Sequence, residues 1–143
     1  MDYFKAAEIS GSGMVAQKMR IEAAAANIAN MTSTGKAVAD LYRPVTVVMQ
    51  ADSTRFQAAW GAAGPSPAVV SARVVEQPLV KPRVVHEPGH PDADANGMVS
   101  YPGVDHVREM MAVTSAMRAY EANLAALQAT KTLALKALEI GGQ

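Results

Sequence analysis

The chain of 143 residues carries 13 basic and 13 acidic side chains, so its formal net charge is zero and it offers no strong field to nucleic acid or an anionic membrane. It has no cysteine, which excludes thiol catalysis, disulfides and cysteine-based zinc sites. Half of it is hydrophobic but only 5% is aromatic, and the abundant alanine favours helix while burying little area, a composition suited to thin helix–helix packing.

Residues 1–35 read as a helix and the turn that closes it. Ala7, Met14, Ile21 and Ile28 recur every seven positions, with Ala24 and Met31 three places after two of them, as on a helix that packs along another helix. Gly11 and Gly13 lie inside this stripe and predict frayed or kinked first turns, since each costs up to about 1 kcal/mol against alanine. Thr32-Ser33-Thr34-Gly35 ends the pattern. The N-terminus lacks the basic, apolar and small-residue segments of a cleaved secretory signal, so a soluble chain, or export without signal cleavage, is expected. No apolar run approaches the ~20 residues that span a bilayer, and no direct membrane insertion is expected.

Residues 36–103 form the β-rich part. Tyr42–Met49, Val69–Val75 and Arg83–His86 are rich in β-branched residues and predict short strands. The stretch near 52–67, ending Gly64-Pro65-Ser66-Pro67, is expected to be a hairpin connection or flexible loop. Asp92-Ala93-Asp94-Ala95-Asn96-Gly97 matches the first half of a calcium-binding loop, but the twelfth position is Gly103 instead of glutamate, and Pro91 and Pro102 forbid the flanking helices. A polar turn built on Pro88, Gly89, Asp94, Asn96 and Gly97 is the preferred reading, with Gly97 free to take a positive φ. A small calcium- or ligand-binding module centred on 86–103 is the alternative. His86 and His90 have helical zinc spacing, but Pro88, Gly89 and Pro91 remove the helix. No Gly-x-Ser-x-Gly elbow or phosphate-binding loop occurs, so no catalytic residue, cofactor or metal is assigned.

Residues 104–143 return to helix. Met110, Met117, Leu124 and Leu138 share one heptad position, interrupted by Lys131, and Val113, Tyr120, Leu127 and Ala134 hold the position three later. Gly141-Gly142 then stops the helix. It would be roughly 55 Å long, against a diameter near ~37 Å for a compact globule of this chain length. The expected fold is α+β: terminal helices forming a coiled-coil-like antiparallel pair, with a small β-rich unit inserted between them. Two such stripes bury too little to offset the ordering of some ~70 residues at about 1–2 kcal/mol each, so further copies or other proteins must complete the core.

Three segments carry a resemblance. Ala25-Ala26-Asn27-Ile28-Ala29-Asn30-Met31-Thr32-Ser33 resembles the helix-end motif of the axial proteins of the bacterial flagellar rod and hook. Glu87-Pro88-Gly89-His90-Pro91-Asp92-Ala93-Asp94-Ala95-Asn96-Gly97 is similar to the proximal-rod branch of that family, and Arg118-Ala119-Tyr120-Glu121-Ala122-Asn123 resembles its C-terminal helix. The resemblance implies a non-enzymatic rod subunit in the basal body, within the periplasmic space. It also implies export through the flagellar type III apparatus, with copies of itself and other rod proteins as partners. The expected assembly interface comprises Met14, Ile21, Asn27, Ile28, Asn30 and Met31 from the first helix. Met110, Val113, Met117, Tyr120, Asn123, Leu124, Leu127 and Leu138 complete it from the second. Asn27 and Asn30, three apart, would share a face and fix register between neighbouring helices. In hydrogen exchange on dilute monomer, the amides at both chain ends should exchange fast; strong protection there would contradict a core completed by partners.

Overall fold

The computed structural model describes residues 3–52, 69–78 and 81–141; most of the expected loop near 52–67 lies outside the described residues. In chain order the elements are α1 (Tyr3–Asn30), a 3-10 turn (Val38–Asp40), β1 (Val45–Asp52), β2 (Val69–Glu76), β3 (Arg83–His86), β4 (Met98–Tyr101) and α2 (His106–Gly141). β1 pairs with β2 and β3 with β4, giving two small two-stranded sheets between two long helices, the expected α+β layout.

Three details correct the reading of the sequence. β1 begins at Val45 instead of Tyr42 and runs on to Asp52; Pro44, just before it, has no N–H to give to a ladder. The four-residue strand β4 is too short for its alternation to show beside the polar turn, yet it pairs antiparallel with β3, Val85 opposite Val99 and Arg83 opposite Tyr101. The glycines do not break α1, which is one helix of 28 residues. Gly13 is there for space: a Cβ at that position would stand 2.9 Å from the Asn123 amide oxygen. Gly11 faces open space.

α1 ends where Ser33 bonds the Asn30 carbonyl with both its N–H and its hydroxyl. α2 begins at an aspartate cap, where one Asp105 carboxylate oxygen accepts the N–H groups of Val107 and Arg108 at 3.0 and 3.3 Å.

Contacts group the chain into two units that each draw on both helices. One comprises Met1–Met19, Val48–Arg73 and Ser115–Gln143, the other Arg20–Val47 and Val74–Thr114. In the first, α1 and α2 run antiparallel: residues 3–7 share a groove with residues 127–138, and Gly13 meets Asn123. Among its described residues the buried positions are small, namely Ser10, Gly13, Ala16 and Ala116. The Ser12 hydroxyl donates to the Ile9 carbonyl at 2.8 Å and accepts the Val70 N–H at 3.1 Å, fastening β2 to α1. In the second unit, Ala23, Ala24 and Asn27 of α1 are buried, as are Leu41 of the connection and Val99 and Tyr101 of β4. A buried alanine contributes about one methyl group, ~0.8 kcal/mol, so the described core of the first unit is thin, while Leu41, Val99 and Tyr101 supply most of the second.

Replacing Gly11 by alanine should stabilise the protein by up to about 1 kcal/mol through helix propensity. Gly13→Ala should give no such gain, because Asn123 must swing away from its bond to the Ala119 carbonyl. Adding Asn123→Ala should restore the gain, as read in urea unfolding.

Candidate assembly surface

The most completely bonded side chain among the described residues of the second unit is Asn27, 2% exposed near the end of α1. Its amide nitrogen donates to the Val45 carbonyl at 2.9 Å and to a Glu109 carboxylate oxygen at 3.2 Å. Its amide oxygen accepts the Val45 N–H at 2.8 Å and the Tyr42 hydroxyl at 3.0 Å. Two donors and two acceptor positions are all an amide has, so Asn27 is saturated within the chain. It joins α1, the entrance to β1 and the first turn of α2. The sequence motif suggests Asn27 for an interface between subunits; within the chain its amide is already fully bonded. Asn30 turns back on its own helix, bonding the Ala26 carbonyl at 2.8 Å, and Asn123 does the same with Ala119 at 2.9 Å. Tyr42 and Glu109, which pattern reasoning missed, complete the node. Tyr42 lies 15 residues from Asn27 and Glu109 82 residues from it, so local spacing gave no signal. Burial, and then the nearby Glu109 charge, push the Tyr42 phenol above its ordinary pKa.

The acidic, proline-rich segment is the turn of the β3–β4 hairpin. Asp94 Oδ1 accepts the N–H groups of Asn96 and Met98 at 2.8 and 2.9 Å, and Gly97 takes φ +73°. The Glu87 N–H meets the Gly97 carbonyl at 2.8 Å, and Thr34 donates to the Asp92 carboxylate at 2.7 Å, tying the turn to the end of α1. The Asp94 carboxylate therefore serves the backbone and that of Asp92 the Thr34 hydroxyl, and among the described residues no cluster of three His, Cys, Asp or Glu could hold a metal ion. Below the turn, Tyr101 donates to Glu87 at 2.9 Å and lies under the Arg83 guanidinium at 5.0 Å. The bond to the Glu87 carboxylate, then burial, raise the Tyr101 pKa.

The helices divide the remaining candidate residues by face. On α2, Val113, Tyr120, Asn123 and Leu127 are half-buried around Ala116, the helix's one buried residue. Met110, Met117, Leu124 and Leu138, the other heptad position, are exposed, Met117 by 50% and Leu138 by 73%. A second exposed seam runs along Ala122, Ala126, Ala129, Leu133 and Ile140, at the spacing of a helix-packing stripe. Alanines there look like helix filler in a sequence; only exposure reveals the seam. On α1 the large residues Met14, Ile21 and Ile28 are half-buried, flanking the buried small ones, as is Met31 just past its end. α2 thus carries three apolar faces, two of them open to solvent. A 36-residue helix so arranged is made to be packed against from several sides.

Two long helices with exposed apolar seams and a small strand insert are the layout of a helix-packing structural protein. Known proteins agree. The profile of the family described as "Flagellar basal body rod FlgEFG protein C-terminal" matches residues 95–140. The flagellar basal-body rod protein FlgC of Salmonella typhimurium strain LT2 is 40% identical over 134 residues, covering 94% of each chain. That of Bacillus subtilis strain 168 is 34% identical over 152 residues, 99% of each chain. That of Aquifex aeolicus strain VF5 is 37% identical over 134 residues, covering 93% of this chain and 92% of its own. The chain belongs to the FlgC family of flagellar basal-body rod proteins, structural subunits without enzymatic activity.

Asn27→Ala strands the half-buried Val45 N–H and Tyr42 hydroxyl and should cost about 1–3 kcal/mol, whereas Tyr42→Phe, which removes one bond, should cost about 1 kcal/mol or less. Both phenols keep their protons more tightly folded than unfolded. The associated stability is therefore fully present below about pH 10 and lost as pH rises above it. Alkaline urea titrations of Tyr42→Phe should show a shallower loss than the parent.

Proposed function

We propose that the chain is a proximal-rod subunit whose two helices lie side by side with those of copies of itself and of other rod proteins, forming the wall of a tube. The observation that carries this reading is α2: one buried residue in 36, and two exposed apolar seams on separate flanks. A helix in a closed tubular layer meets a neighbour on each flank, and each seam supplies one such contact. Met14, Ile21 and Ile28 of α1, Met31 just past its end, and Met110, Met117, Leu124 and Leu138 of α2 form the interface, while Val113, Tyr120, Asn123 and Leu127 hold the helices together beneath it. Asn27 acts on assembly indirectly, by setting the register of the node from which the helices depart, and Asn30 closes α1 beside it. The β-rich part packs outside the tube, and Pro88, Gly89, Asp94, Asn96 and Gly97 shape its turn.

The subunit works in the periplasmic part of the basal body after export, unfolded and without signal cleavage, through the flagellar type III apparatus. The thin core of the first unit supports this route, because helices that bury mainly methyl groups are easily kept unfolded. No described helix is long and apolar enough to cross a membrane, and the zero net charge gives nucleic acid no electrostatic hold.

The test places charge on one seam. Met117→Glu and Leu124→Glu, exposed in the isolated chain, should leave its helical circular dichroism and urea midpoint within about 0.5 kcal/mol of the parent. In cells that depend on the variant, swimming should be abolished and basal bodies should lack the rod. Normal swimming of both variants would refute the interface.

A further inference from the structure

The first unit carries a groove of about 390 Å³ where the helix ends meet. Tyr3, Phe4 and Ala7 of α1 and Leu127, Ala134 and Leu138 of α2 line it, with Lys131 at the same site. The walls are almost wholly apolar, and the chain has left the space open although Phe4 and Leu138 beside it are largely exposed. The same end of α2 presents an unpartnered aliphatic side chain: Ile140, 80% exposed, with Leu133 seven residues before it on the same face. Groove and projection belong to different faces of one helix, so Ile140 cannot fill the groove of its own chain. Their chemistry matches in charge as well as apolarity. Glu139 immediately precedes Ile140, and Lys131 stands in the groove wall.

We infer that the groove receives Ile140 of a second copy, in a head-to-tail contact that brings Glu139 of the incoming chain to Lys131. This rests on the rod-subunit reading above and specifies one of its contacts. Because each copy offers a groove and a projection, the contact repeats from chain to chain, as in assemblies that grow instead of closing on a two-fold axis.

The absence of native cysteine makes the test clean. Ala134→Cys and Ile140→Cys are combined in the full chain, and basal bodies containing it are oxidised. The two positions lie six residues apart, ~9 Å along the helix, beyond the ~7 Å between Cα atoms that a disulfide tolerates. A bond therefore reports two chains. The expected result is a ladder of dimers, trimers and larger species, absent from either single variant. Basal bodies that contain the variant but give no ladder, dimers alone, or a link to a different protein overturn the contact and leave rod membership standing. A tagged parent chain missing from purified basal bodies would instead remove the rod-subunit reading beneath it. Charge reversal probes the same contact without altering the apolar wall. Lys131→Glu and Glu139→Lys should each reduce swimming severalfold, and together restore it; an undiminished or additive loss in the double variant overturns the pairing.

Discussion

One carboxamide sets the arrangement on which the rest of the second unit depends. Asn27 is buried, and a buried amide is tolerated only when its partners are supplied. Here they come from the start of β1, from Tyr42 and from the first turn of α2. The chain must therefore return twice to the end of α1, once after the short connection and once after the hairpin. Apolar packing alone would leave this arrangement loose, because Ala23 and Ala24 beside Asn27 have no shape by which to enforce a register. Hydrogen-bond geometry specifies what the methyl groups cannot.

The first unit follows a different logic. Among its described residues the buried positions are serine, glycine and alanine, while Met117, Leu124 and Leu138 of α2 stand outside. In an ordinary globular helix pair the sizes would be reversed, large residues inward and small ones anywhere. Close approach of the backbones at Gly13 and Asn123 brings the helices together at little volume and leaves much of the larger apolar surface of α2 exposed. Membership of a rod-protein family gives that reversal its purpose.

Much of this was legible in the sequence. Two helices around a β-rich insert follow from heptad spacing at the ends and from proline and β-branched residues between them. The calcium-loop lookalike was readable as a turn because a loop ligand requires flanking helices that proline forbids. What escaped was non-local. The motif around Asn27 showed a pair of amides on one helical face, but their partners could be seen only once the chain had folded back on itself. Gly13 looked like a weakness because its reason, the Asn123 side chain, lies on another helix. The alanine seam of α2 escaped because alanine signals helix in any context and says nothing about which side faces out.

That seam has a mechanical consequence. Ala122, Ala126 and Ala129 have no side-chain torsions to freeze, so a neighbour meeting them loses almost none of the rotamer entropy that longer side chains forfeit. Short side chains also let helix axes approach toward the lower end of the usual ~8–10 Å range. Along its alanine stretch a joint of this kind has few soft degrees of freedom: Ala122, Ala126 and Ala129 have no side chain that can re-rotate under load, and backbones can approach closely. An element assembled along such seams yields little to twisting and passes a turning force from one subunit to the next.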